Sequence, residues 1–406
     1  MKIRHYSTLS LAIFASFQAH AAGFQVAEHS ASGLGRAFSG EAAVAQDASV
    51  IARNPAAMTR FDRAMFSGAI SIIDPEVDIY DTTNMERSND VAPLQVVPAG
   101  YYLSPINEKW AWGIGMFTTY GVATDYPDDI AAGDMAGDTS LVSVNINPSV
   151  AYRVNDNFSI GAGLNLVYAH AELNRHFGRD LSQLFGRNRS DLLISMEGDT
   201  FGWGWNIGAM YEINENHRFG FGYRSEVEID FDDGDFTDTD GSKKKAQLVV
   251  DLPAIWELSG FHQLNDTFAI HYSYLRTEWS AFKELKATSP ECDNRICFFK
   301  PEEYDDSSRY SIGTTINFNE QWIGRLGFAF DEQAGKATLS IPDSDRYWYS
   351  IGATYLHNNH WSFDAGFALV VSDDGSFTET NSVGETFNFE SEGLAYITAI
   401  QANYKF

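Results

Sequence analysis

Residues 201–211 read Phe-Gly-Trp-Gly-Trp-Asn-Ile-Gly-Ala-Met-Tyr. Phe201, Trp203, Trp205, Ile207, Ala209 and Tyr211 alternate with Gly202, Gly204, Asn206, Gly208 and Met210. Successive side chains of an extended strand point to opposite faces, so this stretch carries one broad apolar face and one small or polar face. The pattern recurs. Phe158, Ile160, Ala162, Leu164, Leu166 and Tyr168 alternate with Asn157, Ser159, Gly161, Gly163 and Asn165. Tyr347, Tyr349, Ile351, Ala353 and Tyr355 alternate with Arg346, Ser350, Gly352 and Thr354. Soluble sandwiches rarely repeat such rings strand after strand over stretches of about ten residues or more. A face turned to lipid does.

Working outward, the period of two predicts fourteen strands at 64–74, 93–104, 109–120, 140–154, 157–173, 199–213, 217–230, 246–261, 267–282, 304–318, 321–331, 345–357, 360–372 and 393–406. Short turns such as Asn155-Asp156, Asn319-Glu320 and Asn358-Asn359 alternate with long loops at 75–92, 121–139, 174–198, 231–245, 283–303, 332–344 and 373–392. An even strand count with short turns on one side and long loops on the other is the outer-membrane pattern. No run after the first residues reaches the ~18 apolar residues a membrane helix needs. Any membrane crossing must then be a closed barrel, which satisfies every backbone group in lipid. The last strand carries Tyr396, Thr398, Ile400, Ala402, Tyr404 and Phe406 on one face, and a terminal aromatic suits the assembly signal of such barrels.

The start of the chain points to export. Lys2, Arg4 and His5 precede an apolar run from Leu9 to Phe17, and Ala19-His20-Ala21 is a cleavage site. Residues 1–21 therefore read as a signal peptide and Ala22 as the mature start. The net charge of −27 argues against nucleic acid and against simple adhesion to anionic lipid. An aromatic fraction of 14% and 33 glycines fit aromatic girdles and small lumen residues. No linker divides the 406 residues.

Ala22 to Phe66 is different: rich in Ala, Gly and Ser, without alternation, and with one helix-sized patch near Glu41–Ala52. It contains Asn54-Pro55-Ala56, a tight-turn signal. Residues 22–63 are too small-residued to build a core alone and read as a hatch, with 64–406 as the barrel around it. The fold class is all-β: a 14-stranded antiparallel transmembrane β-barrel plugged by an N-terminal hatch segment.

The loops hold the charge. Asp232, Asp233, Asp235, Asp238 and Asp240 lack Ca²⁺-loop spacing and read as a solvated acidic loop. Arg175, Arg179, Arg187 and Arg189 cluster in loop 174–198, where Leu181, Leu184 and Phe185 have the spacing of a short amphipathic helix. These arginines suit an amphipathic anion, lipopolysaccharide phosphates or acidic neighbouring loops. Cys292 and Cys297, the only cysteines, read as a disulfide of an exported protein. No G-x-S-x-G, H-E-x-x-H or phosphate loop occurs, and no cofactor or metal is expected. Gly33-Leu34-Gly35 precedes no βαβ unit, so it carries no dinucleotide reading.

These residues resemble the outer-membrane long-chain fatty acid transporters of the FadL type. The likeness rests on the hatch stretch with Asn54-Pro55-Ala56 and on YGVATDY, AYRVNDNFSIGAGLNLVYAHAELNR, WGWNIGAMYEI, YRSEVEIDF, LPAIWELSG, HYSYLRTEWSAFKELKATS, SIPDSDRYWYSIGATY and FESEGLAY. The resemblance implies a plugged 14-stranded barrel in the outer membrane of a Gram-negative bacterium. It implies passive, ligand-gated uptake of long-chain fatty acids through a loop groove and an internal pocket. Arg175, in AHAELNRHFGRDL, is the implied carboxylate partner. Asp305 stands where the family has a lysine, and Lys300 is the candidate to replace it. Ligand binding would shift the Ala22–Phe24 end of the hatch, and the ligand would leave laterally near Thr119, Tyr120 and Gly121. The rival reading is uptake of neutral aromatic hydrocarbons, against which a basic pocket residue weighs. A monomer among outer-membrane lipid and lipopolysaccharide is expected, with the outer loops open to phage.

Overall fold

The computed structural model describes residues 23–406, so residues 1–21, expected to be a signal peptide, and Ala22 lie outside the described residues. From Met65 onward the chain winds as one antiparallel sheet of fourteen principal strands. They are β1 (Met65–Asp81), β2 (Gln95–Pro105), β3 (Trp110–Phe117 and Gly121–Thr124), β4 (Thr139–Asn155), β5 (Phe158–His176) and β6 (Leu192–Asn214). There follow β7 (His217–Arg224 and Val227–Thr237), β8 (Lys243–Leu252 and Ile255–Gln263), β9 (Phe268–Thr277), β10 (Ser307–Asn317) and β11 (Trp322–Asp331). The last are β12 (Arg346–Leu356), β13 (Trp361–Ser372) and β14 (Thr386–Lys405). Each strand pairs with its sequence neighbour, and β1 pairs with β14 from Met65–Lys405 to Asp81–Phe389. That last ladder closes the barrel and removes both edges.

The alternating faces are set as lipid and lumen demand. Phe201 and Trp203 are 77% and 74% exposed on the outer wall, while Gly202 and Gly204 face inward. Several strands run further at their long-loop ends than the period of two predicted: β1 continues to Asp81, β6 begins at Leu192 and β14 at Thr386. Beyond the bilayer neither face meets lipid, so sequence alternation fades while backbone pairing continues. β8 is broken at Pro253, which has no N–H for the ladder.

Residues between Gly23 and Arg60 form short helical turns that touch strands around the inner wall. α1 (Ala31–Leu34) packs on β12, β13 and β14, and α2 (Glu41–Val44) on β7 and β8. The 3-10 turn Ala48–Ala52 meets β2 and β3; the turn Pro55–Arg60 meets β4, β5 and β6. The single helical patch expected over Glu41–Ala52 is thus two pieces, split where Ala45 takes a left-handed φ of 49°. A helix of one turn has no stability of its own in water. Here wall arginines satisfy its open carbonyls: Arg218 donates to Ala43 O and Val44 O, both at 2.6 Å, and Arg224 donates to Ala52 O at 2.7 Å. Close approach needs glycine on the wall. A Cβ on Gly208 would collide with Asn54 Oδ1, and one on Gly220 with the carbonyl of Ala42.

Candidate ligand site

Asn54 is fully buried. Its side chain accepts from Ala56 N at 3.0 Å and donates to Ala42 O at 2.6 Å and to Ala209 O of β6 at 3.0 Å. Pro55 occupies the first position of the turn, where a missing N–H costs nothing. The motif thereby joins two parts of the N-terminal segment to the wall.

At the other end of that segment, Phe24–Val26 stands in for part of a strand. β3 breaks at 118–120, and there Val26 N donates to Thr119 O at 2.8 Å while Gly121 N donates to Phe24 O at 3.0 Å. Gln25 and Tyr120 form an antiparallel bridge. Thr119, Tyr120 and Gly121 therefore lie against the first described residues. The wall beside them is open on one side. Gln95–Ala99 of β2 pair with β1, but among the described residues the β2–β3 ladder ends at Gly100–Met116.

Two cavities meet at Phe24. The smaller, about 80 Å³, is lined by Leu141, Leu173, Met196, Phe231, Leu248 and Phe282 among others. The larger, about 500 Å³, runs past Val96 and Pro98 of β2 and Val122 of β3, at the unpaired stretch of wall. Phe24 lines both, boxed by Trp279, Phe282 and Tyr120 with ring centroids at 4.6, 5.3 and 5.9 Å. Just before it, Gly23 N donates to Asp343 Oδ2 at 2.8 Å.

The polar residues around the smaller cavity are Thr139, Ser140, Glu172, Glu197, Asp235 and Ser340. Ser340 and Thr139 line it. Behind them Arg175, 1% exposed, donates to Ser340 Oγ at 2.8 Å, Thr139 Oγ1 at 3.1 Å and the carbonyls of Asp138 and Asn174. Lys300 Nζ donates to the same Ser340 Oγ at 3.1 Å. Arg175 and Lys300 thus converge on one hydroxyl. Asp305 is elsewhere, exposed, its N–H donating to Ala334 O. Sequence reasoning did not single out Ser340, nor Glu302 and Glu379, whose carboxylates lie 3.7 and 3.3 Å from Lys300 Nζ. The stretch SIPDSDRYWYSIGATY contains Ser340, but a loop serine carries no local signal of its partners.

The arginine cluster expected in loop 174–198 is divided. Arg175 points into the barrel. Arg179 pairs with Asp180 at 2.7 Å and Arg189 with Glu86 at 2.8 Å; Arg187 lies over the Phe177 ring. Of the expected apolar helix face, α3 (Gly178–Phe185) buries Leu181 but leaves Leu184 and Phe185 66% and 60% exposed. Cys292 and Cys297 are disulfide-bonded with Cα atoms 5.3 Å apart, at the tip of a hairpin whose second arm, Ile296–Pro301, carries Lys300. In the acidic loop, Lys244 and Lys245 pair with Asp238 at 2.6 Å and Asp235 at 2.9 Å. Burial in the outer loops pushes Asp134 and Asp343 up to about 6; burial and then the neighbouring Asp373 push Asp345 up to about 7.

The geometry has counterparts. A family model described as outer membrane protein transport protein (OMPP1/FadL/TodX) matches residues 12–406. A long-chain fatty acid transport protein of Salmonella typhi is 39% identical over 434 residues, covering 98% of each chain. Among solved structures, a Pseudomonas aeruginosa FadL homologue superposes with a TM-score of 0.83 at 23% identity, covering 95% of this chain and all of that one. The Ralstonia pickettii toluene transporter TbuX superposes at 0.67 and 17% identity, covering 93% and 98%. At those identities the two structures speak for the fold alone.

Proposed function

The chain belongs to the OMPP1/FadL/TodX family of outer membrane transport proteins, and we propose that it takes up long-chain fatty acids by passive, ligand-gated diffusion. One observation carries the reading: two cations, Arg175 and Lys300, meet on Ser340 in the wall of a mostly apolar cavity. A fatty acid matches that division of chemistry. Its tail replaces water against Leu141, Leu173, Met196 and Phe231, and its carboxylate takes the place of Ser340 Oγ as acceptor. A charge-assisted hydrogen bond of this kind contributes about 1.5–3 kcal/mol.

The smaller cavity, about 80 Å³, is too short for a long tail while Phe24 closes it. Binding therefore favours the state in which Phe24 has left the Trp279 box, and this difference in affinity is what gates the channel. Residues 23–60 act as the hatch, held by the Asn54-Pro55-Ala56 turn, and only the Gly23–Val26 end moves. The ligand then leaves sideways through the wall between β2 and β3 at the break in β3. The relatives' names support the substrate class, and the break in β3 beside the larger cavity supports the route. Neutral aromatic hydrocarbons are the second reading; the small size of the inner cavity favours them, but they offer no acceptor to replace Ser340 Oγ between Arg175 and Lys300. Equilibrating the purified barrel with radiolabelled laurate, oleate and toluene separates the two: retention of oleate over toluene is expected, and retention of toluene alone overturns the proposal.

A further inference from the structure

The group around Ser340 is charge-balanced before a ligand arrives. Arg175 and Lys300 bring two positive charges; Glu302 and Glu379 bring two negative ones. Among the described residues, Lys300 is the one cation within ion-pair distance of either glutamate. The Glu302 side chain is 0% exposed, and that of Glu379 is 9% exposed. Lys283, whose carbonyl accepts from Glu302 N, and Lys336, whose N–H donates to Glu303 O, are both exposed, and neither is within ion-pair distance of Glu302 or Glu379 among the described residues. Asp138 before β4 and Glu172 on β5 both accept from Asn174 Nδ2. Asp343, in the loop before β12, has Arg346 beside it. The hydroxyls of Tyr126 and Tyr304 are further titratable groups beside the pair.

A second observation is independent of the count. Both carboxylate oxygens of Glu302 and Oε2 of Glu379 are buried and accept no hydrogen bond among the described residues. A carboxylate in that condition is held only by its neighbours' charge, and it is the group on which a proton is most readily taken up. Burial already pushes the Glu302 carboxyl above the ordinary carboxylate range.

We propose that a fatty acid enters this site together with one proton, carried on Glu302, so that the occupied site stays neutral and selects amphiphiles by a net-neutral head. The inference rests on the fatty acid reading above. A free fatty acid is ionised at neutral pH, so its carboxylate would be a third anion against two cations, in a place with little water to screen it. A proton from solvent bonds to one Glu302 oxygen and removes the excess. Glu302 then donates an O–H toward the carboxylates instead of repelling them. The sign follows from linkage: a complex that binds one proton more than the free partners loses affinity as pH rises. The loss approaches about tenfold per pH unit between the Glu302 pKa of the empty site and its higher value in the occupied one. A fatty alcohol adds no charge and takes up no proton.

The test is titration calorimetry of the full-length barrel in detergent at about pH 7.5, in two buffers of different ionisation heat, with laurate and with dodecanol. Expected is uptake of about one proton per laurate and about none per dodecanol. Glu302→Gln should abolish the uptake and flatten the pH dependence of laurate affinity; Glu379→Gln, a second variant should the first misfold, should reduce it. Laurate binding with no proton uptake by the wild type overturns the inference while leaving the fatty acid reading intact. Uptake unchanged in both variants also overturns it. Failure of the folded wild-type barrel to bind laurate at all overturns the reading beneath it.

Discussion

Ser340 accepts from two cations that lie far from it in sequence: Arg175 is 165 residues away and Lys300 is 40. Arg175 was singled out by the family resemblance of the stretch AHAELNRHFGRDL, while its charge alone marked only a cluster of four loop arginines. Ser340, Glu302 and Glu379 were not, because their roles come from loops brought together over the barrel mouth. Arg175→Ala should weaken oleate binding by about ten- to a hundredfold, the loss of a charge-assisted bond, with barrel assembly unchanged. Equal affinity in a binding assay would mean that Arg175 serves only to hold Thr139 and Ser340. Asp343 gives a pH prediction. Burial raises its carboxyl to about 6, above its unfolded value, so folding takes up a proton there. The resulting stability is fully present below the unfolded carboxylate pKa and is lost as pH rises through about 6. Protection factors in loop 332–345, with the intrinsic exchange rate divided out at each pH, should therefore be higher at pH 5 than at pH 8, and Asp343→Asn should remove most of that difference.

Among the elements, the fourteen strands were readable because lipid on one face and the lumen on the other impose a period of two. Their loop-side ends were not, since beyond the bilayer only backbone pairing continues. The N-terminal turns show the opposite limit. Their helical form depends on Arg218 and Arg224 of the distant β7 donating to the carbonyls of Ala43 and Ala52, and on Asn54 donating to Ala42 O, which no local pattern reports. Gly220→Val places a side chain where the Ala42 carbonyl lies. The barrel should still assemble, shown by unchanged heat-modifiable migration on gels, but the displaced α2 should admit small hydrophilic antibiotics. Replacing Asn54-Pro55-Ala56 with three glycines should do the same by freeing the turn. Wild-type antibiotic exclusion in both variants would mean that the segment tolerates loss of these contacts and does not seal the lumen through them.

For the whole molecule, the barrel, the segment inside it and the break in β3 form one path. In the proposed route the ligand enters the inner cavity beside Ser340; Phe24 lines both cavities, and the larger one reaches the unpaired wall between β2 and β3. The central claim is that the first residues of the segment must leave β3 for a ligand to pass. Gln25 and Tyr120 face each other across an antiparallel bridge, a spacing a disulfide can span. The most direct test is Gln25→Cys with Tyr120→Cys in a chain where Cys292 and Cys297 are serine, comparing oleate uptake by cells before and after reduction. Oxidised, the barrel should assemble and take up almost no oleate; reduced, uptake should return to the level of the parent with serines alone. Equal uptake in the oxidised and reduced states, with the cross-link verified, would contradict the account.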